Sequence, residues 1–335
     1  MKRTLTLLMA LFGVAPAAHA AGFQAKTMRE TLSAREVERG LLIGKGWLEF
    51  GLGADIKRAT GYWSAEGDPV EFDDATWTWT TQRIDIRYGI TKRSELYGTV
   101  KWHYARLENE RLGTDVRDFG LGDPRFGYKY EWFKSLAPVT SVITYLEYKG
   151  PAANESPGNY IGGPSTFSSV IMTTGTPDLE LGAQAKRQVG PFAFTAGGAY
   201  VRRFSNVVQY VVETDLNVFN GRIKPGDITK FGGEVLLQIG PVALQGGSIV
   251  QMREETLIGP TSSGLFQAAE LEPQTGSDGV SVDATAGFTF NITRGVDLVG
   301  GVSIPVKGED LMYFPIEDIH PTRGNTYSGT LEFRY

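Results

Sequence analysis

From Gly46 onward, apolar and polar residues exchange places with a period of two, the pattern of a strand with two unlike faces. The last ten residues show it best: Tyr327, Gly329, Leu331, Phe333 and Tyr335 share one face, and Ser328, Thr330, Glu332 and Arg334 the other. The same pattern predicts strands near 46–63, 75–90, 94–108, 120–134, 138–151, 176–188, 191–205, 227–239, 242–255, 279–292, 295–308 and 326–335. At about 10 to 18 residues they exceed the ~5–6 usual in soluble sheets and suit a tilted crossing of a bilayer. Their connections alternate in length. Short ones are Gly89–Lys92, Ser135-Leu136-Ala137, Gly190-Pro191, Gly240-Pro241 and Thr293-Arg294-Gly295; long ones are 64–74, 109–119, 152–175, 206–226, 256–278 and 309–325. A soluble sandwich gives no reason for that regularity, whereas a membrane barrel has short turns on its periplasmic rim and long loops outside. The expectation is an all-β chain, a transmembrane antiparallel up-and-down β-barrel of twelve strands over 46–335, with both termini periplasmic.

Aromatic positions sharpen the picture, since Trp and Tyr favour membrane interfaces. Phe50, Tyr88, Trp132, Phe192, Phe194, Phe290, Phe333 and Tyr335 lie beside short turns. Tyr62, Trp63, Trp77, Trp79, Trp102, Tyr104, Tyr148, Tyr200, Phe231 and Tyr327 lie beside long loops. Between these belts Leu181, Ala183, Val235, Ala284, Ala286 and Val302 are expected to face lipid.

The first 45 residues do not alternate. Lys2 and Arg3, an apolar run from Leu5 to Pro16, and Ala18-His19-Ala20 have the form of a signal peptide with an A-x-A cleavage site, assigning residues 1–20 to export. In 21–45, Thr27-Met28-Arg29-Glu30 and Ser33-Ala34-Arg35-Glu36 have capping-box form, and Gly40 suits a helix end. Two readings stay open for this segment, a periplasmic tail or a helix lodged as a plug in the periplasmic mouth. No later stretch reaches the ~18 apolar residues of a membrane helix. Composition fits a barrel: 42 Gly, 38 aromatics from 6 Trp, 14 Tyr and 18 Phe, and no Cys. The formal charge of -5, or -7 without Lys2 and Arg3, argues against a nucleic-acid partner.

Setting the apolar parity toward lipid assigns the lumen. It collects Arg83, Asp85, Arg87, Lys101, His103, Arg125, Lys129, Glu131, Glu147, Lys149, Glu180, Lys186, Arg203, Lys230, Glu234, Gln238, Arg253, Asp283, Lys307, Glu332 and Arg334. A Lys or Arg facing mid-bilayer lipid costs about 2–4 kcal/mol, which gives the assignment its force. Two roles fit such charges: ion pairs bracing the wall, and selection of what passes. Arg83, Arg87, Lys101, Arg125 and Lys129 form a basic strip on strands two to four, expected to face acidic Glu180, Glu234 and Asp283 across the pore.

Enzyme motifs are scarce: there is no Cys nucleophile, HExxH, Walker A or GxSxG. Of three His, His19 leaves with the signal peptide, His320 sits in the last long loop, and His103 points inward, away from the lipid-facing wall where a lipase needs it. No cofactor or metal is implied.

Gly120-Leu121-Gly122-Asp123-Pro124-Arg125-Phe126-Gly127-Tyr128-Lys129-Tyr130 lacks the strand–helix context of a nucleotide motif. With Tyr88-Gly89-Ile90-Thr91-Lys92-Arg93-Ser94-Glu95-Leu96 and Pro225-Gly226-Asp227 it resembles, over roughly 46–335, the outer-membrane family named for the meta-cleavage pathway of phenol degradation. That resemblance implies a barrel in the cell outer membrane and uptake of small, often aromatic or hydrophobic compounds. Tyr335 departs from the Phe that usually ends outer-membrane barrels but keeps an aromatic for the barrel-assembly machinery. The expected partners are outer-membrane lipids, that machinery and a small-molecule solute. The expected function is passive passage of small solutes; the alternatives are a structural or surface-interaction barrel and a lipid-modifying enzyme.

Overall fold

The computed structural model describes residues 33, 35–64, 67–72, 75–109, 114–152, 175–212, 217–260, 271–273, 277–293, 295–309 and 322–335. The signal-peptide assignment, the first capping box and His320 lie outside them. Twelve antiparallel strands close into one barrel. In chain order they are β1 (Leu48–Ala59), β2 (Ala75–Thr91), β3 (Ser94–Asn109), β4 (Thr114–Leu121 resuming as Arg125–Leu136), β5 (Val139–Lys149) and β6 (Asp178–Val189). The circuit continues with β7 (Phe192–Arg203), β8 (Ile228–Ile239), β9 (Val242–Arg253), β10 (Gly279–Thr293), β11 (Val296–Gly308) and β12 (Thr326–Arg334). Each pairs with its chain neighbours, and β12 pairs with β1 from Glu49↔Arg334 to Lys57↔Thr326, so no wall edge is left at the seam. Closure is what lets a sheet sit in lipid, because every backbone donor and acceptor then has a partner.

Local chemistry explains the turns. Val189 pairs with Phe192 and Ile239 with Val242 around Gly190-Pro191 and Gly240-Pro241. Gly190 and Gly240 have φ of 60° and 59°. Glycine first and proline second is what a two-residue II′ hairpin turn requires. Along β6 the exposed positions are Leu179, Leu181, Ala183, Ala185, Arg187 and Val189, while Asp178, Gly182 and Lys186 are buried. The same parity puts Leu52, Ile86, Leu96, Phe126, Leu146, Phe231, Leu244, Phe288, Leu298 and Tyr327 on the outer surface.

Four features depart from the expected strands. β4 begins at Thr114, not residue 120, and breaks at Gly122-Asp123-Pro124. Trp102 faces Leu121 and Thr99 faces Arg125, so three residues of β4 oppose two of β3, a bulge. Proline has no N–H for the ladder, and a Cβ on Gly122 would lie 2.2 Å from His103 Nε2. Second, β1 ends at Ala59; Gly61–Trp63 turns away to pair with Pro69–Glu71 and Thr322–Arg323. Third, the long connections carry their own sheet of Asn206–Val212, Asn217–Lys224, Leu257–Pro260 and Glu272–Pro273. Periodicity does not separate such strands from loop when lipid imposes no apolar face. Fourth, Trp77 and Trp79 do not join the outer belt. They share the inward row of β2 with Arg83, packing on buried Ala105, and Trp79 Nε1 donates to His103 Nδ1 at 3.1 Å. Tyr62 and Trp63 leave the belt too, Tyr62 stacking on Phe72 and Trp63 lining the lumen.

Candidate functional site

The lumen is the site, and it has two layers. At the short-turn end the chain before β1 enters the mouth. The second capping box opens no α-helix: Ser33 Oγ accepts from Arg35 N–H at 3.1 Å, and only a three-residue 3-10 turn forms, at Glu36–Glu38. The wall takes over the hydrogen bonds a longer helix would have made internally. Glu36 and Val37 N–H both donate to Gln238 Oε1 (2.8 and 3.4 Å), Leu41 N–H to Ser141 Oγ (3.4 Å), and Ile43 N–H to Glu95 Oε2 (2.9 Å). Lys186 Nζ donates to Glu36 O at 3.1 Å and Arg87 to Leu41 O at 3.2 Å. Val37 is buried against Ala193, Leu236 and Ala243. The chain then passes so close to Gly89 that a Cβ there would lie 1.7 Å from Gly44 O. That approach explains the glycine of Tyr88-Gly89-Ile90.

Around this segment the charges pair densely. Arg39 reaches Glu36 and Asp297, each at 2.6 Å, and Arg334 reaches Asp297, Glu49 and, at 2.7 Å, Glu332. Arg87 bridges Glu49 (2.8 Å) and Glu95 (2.7 Å), while Lys129 lies 3.4 Å from Glu95 and over the Tyr97 ring. Buried Glu131 accepts from Ser141 Oγ. Glu234 occupies the inward row between Thr195 and Gly247.

Toward the long loops the lumen opens into a cavity of about 460 Å³. Lys57, Arg83, Asp85, Lys101, Arg125, Glu147, Lys230, Arg253, Asp283, Lys307 and Glu309 line it, with Trp63, Ile228, Val280 and Pro305 among the apolar positions. Arg83 binds Asp55 and, at 3.1 Å, Asp85; Thr99 donates to Asp85 at 2.7 Å. Arg125 pairs with Glu147 at 3.1 Å, and Lys307 with Glu309 at 2.6 Å. Glu180 accepts from Lys230 (2.9 Å) and Tyr145 (2.8 Å). Arg253 donates to Ser277 O at 3.1 Å. Beside the cavity, Lys149, Asp178, Asp123 and Arg203 form a buried cluster, with Lys149 2.6 Å from Asp178 and Arg203 3.7 Å from it.

The charged residues assigned to the lumen thus divide. Arg87, Lys129, Glu131, Lys186, Glu332 and Arg334 belong to the plugged layer. Arg83, Asp85, Lys101, Arg125, Glu147, Lys230, Arg253, Asp283 and Lys307 line the open cavity, where Glu180 and Arg203 help line its edge. Members of the basic strip are tied to carboxylates close by, Arg83 to Asp85, Arg87 to Glu49 and Glu95, and Arg125 to Glu147. Lys230 and Glu234 share the inward row of β8, and Arg253 and Asp283 line the same cavity as Arg83 and Lys101. The reading of the sequence passed over the carboxylates that complete the pairs: Glu49, Asp55, Glu95, Asp178 and Asp297. Glu49, Asp55 and Glu95 lie on inward parities of β1 and β3 and were legible by the same rule.

No protein-family model matches the chain, and no curated protein matches its sequence. Among solved structures it is similar to the COG4313 outer membrane channel from Pseudomonas putida F1, with TM-score 0.64 and 11% identity over 87% of this chain and 96% of that one. It overlays more loosely on the translocator domain of the autotransporter NalP from Neisseria meningitidis (TM-score 0.46, 10% identity, 99% and 97% covered). The CymD monoaromatic hydrocarbon channel gives TM-score 0.39 at 9% identity, with 94% and 96% covered. The closed ring of twelve strands and the overlay on the Pseudomonas channel give this chain the fold of an outer-membrane β-barrel.

Proposed function

We propose that the protein is an outer-membrane channel through which small solutes, aromatic or hydrophobic compounds among them, pass down their gradient. The observation that carries this reading is the 460 Å³ cavity inside a closed wall. Its lining is polar and its outer face apolar, so water and solute have a path that lipid does not. A twelve-stranded lumen lies between eight-stranded barrels filled by side chains and 16–18-stranded open porins. The short turns face the periplasm and both termini lie there, with residues 35–45 of the segment before β1 plugging that mouth. The barrel-assembly machinery reads the strand ending at Tyr335. This reading includes no lipid-modifying step: among the described residues His103 is buried and turned inward, where Trp79 and Thr81 hold its Nδ1, away from any acyl ester in the wall.

Planar-bilayer recording tests the reading. The full mature chain should give conductance steps, and Arg39→Ala/Gln238→Ala, which cuts ties of the plugging segment, should make them larger or more frequent. Silence in both proteins sinks the channel. Epitope tags in 152–175 or 256–278 should be reachable on intact cells and a tag at Lys92 should not; labelling at Lys92 overturns the orientation.

A further inference from the structure

Arg187 is a cation on the outer side of the wall. It is exposed on the outward row of β6, two residues before the strand ends at the Gly190-Pro191 turn. Its cross-strand neighbours on that face are Thr140 of β5 and Phe194 of β7. The outward rows of β5 to β9 hold no carboxylate among the described residues, and Arg187 makes no ion pair with any of those residues. Arg202, the other outward arginine of these strands, lies at the long-loop end and is held by Asp227 at 2.5 Å. A guanidinium on the lipid side is costly at mid-bilayer and nearly free at headgroup level, where a residue beside a short turn sits.

Next to Arg187 the wall is hollow. A groove of about 600 Å³ runs over β6 to β9, with Arg187 and Thr140 at its β5 side. Ala185, Ala196, Gly233 and Ser248 stand side by side in the register and form its floor. One row nearer the short turns, Phe194 and Val235 rise as its wall. The volume is that of a site for one small molecule. Elsewhere on the outer surface Leu181, Phe231 and Leu244 fill the space that these small side chains leave open.

We infer that this groove holds one glycerophospholipid of the leaflet at the short-turn end, an acyl chain over Ala185, Ala196 and Gly233 and the phosphate diester on Arg187. A guanidinium fork matches two phosphate oxygens, and Thr140 brings a hydroxyl to the same end. Any acyl chain gains from the apolar floor; the cation is what selects a phosphate-bearing lipid. A second copy of the chain fits less well. In their short-turn halves the outward rows of the wall carry no carboxylate among the described residues, so a partner barrel would bury the guanidinium uncompensated. The site is separate from the lumen, since Lys186 and Glu234, which precede Arg187 and Val235, point the other way.

The inference takes the outward face to lie in lipid and does not depend on a solute passing, so bilayer recordings decide the channel and lipid binding decides this site. Native mass spectrometry of the full mature chain released from detergent counts bound lipid. Dioleoylphosphatidylglycerol and dioleoylglycerol share both acyl chains and differ in the phosphate headgroup. One copy of the phospholipid should be retained, with dioleoylglycerol at least about tenfold weaker. Arg187→Gln should cost about tenfold in phospholipid affinity, the contrast one charge-assisted contact supplies, and leave dioleoylglycerol unchanged. Ala196→Phe, which fills the floor, should weaken both lipids, and Arg58→Gln, at the long-loop end of β1, neither. Equal affinity for the two lipids overturns the inference, as does phospholipid binding by Arg187→Gln at the wild-type level. So does a dimer that forms without lipid and that Ala196→Phe dissociates, which puts a second copy in the groove.

Discussion

Replacing Asp297 by alanine tests how the inner segment is held. Asp297 is fully buried on β11, and its carboxylate accepts from Arg39 Nη1 at 2.6 Å, from Arg334 Nη1, and from Asn291 Nδ2 at 2.7 Å. The Arg39 and Arg334 side chains are only 5% and 7% exposed, so water screens these contacts little. Removing one partner of a buried pair costs about 3–5 kcal/mol, because the other charge stays buried without it. Arg39 keeps Glu36, and Arg334 keeps Glu49 and Glu332, which places the expectation at the low end, about 3 kcal/mol. Asp297→Asn keeps an acceptor and loses the charge, so about half of that is expected. Because Arg39 precedes β1, part of the loss should appear as release of the segment, not as unfolding of the wall. Three kcal/mol is about a hundredfold in an equilibrium constant. Limited trypsin digestion at Arg39 and Lys45 reads the release, and guanidinium unfolding of the heat-modifiable band reads the wall. Asp297→Ala protein cleaved within threefold of the wild-type rate, with an unchanged unfolding midpoint, would refute the reasoning.

Deleting Phe333 to Tyr335 should abolish the heat-modifiable form, since it removes Phe50↔Phe333 and the reciprocal Leu48–Tyr335 backbone bonds at the closing seam; normal levels of folded truncated protein would count against a closed wall. Gly182→Ala should destabilise by about 1–3 kcal/mol in urea titrations, because its Cβ would lie 2.3 Å from the Tyr145 ring, itself tied through its hydroxyl to Glu180; Gly329→Ala, with nothing within 4 Å, should be near neutral. Asp227, between the barrel strands, sits in a corner where burial favours its neutral form, but the Arg203 N–H, the Tyr200 hydroxyl and Lys224 outweigh burial and hold its carboxyl below the usual value. Its contribution is therefore complete above the ordinary carboxylate pKa and lost as pH falls through the lower folded value. Unfolding midpoints between pH 6 and 3 should drop more steeply for wild type than for Asp227→Asn, and parallel curves would exclude this role.

Much of the molecule was determined by the sequence alone. Period-two alternation marks strands because successive side chains point to opposite faces, and lipid tolerates little charge on its side of the wall. That local rule sets the charged residues from Arg83 to Arg334 on one parity, and alternating loop length carried the strand count. It even contained the answer for Trp77 and Trp79, which share the inward row of Arg83; the general preference of Trp for interfaces pointed the other way, and packing on Ala105 decided it. The β4 bulge was written in Gly122-Asp123-Pro124 but read only as a family resemblance, since a bulge is defined by the partner strand's register.

What only the tertiary structure decided depends on pairs distant in the chain. Arg39 meets Asp297 across 258 residues, and Gln238 holds Glu36 and Val37 across about 200, so no local pattern distinguishes a tail from a plug. The charges behave likewise. Parity says that Arg83 and Lys101 point inward, but which residues they face depends on closure of a twelve-membered ring and on the register of each pair. Closure brought Lys230 to Glu180 and set both signs of charge round one cavity, from Arg83 and Lys101 to Arg253 and Asp283. Side-chain direction is a property of one strand, whereas the field inside a barrel is a sum over all of them.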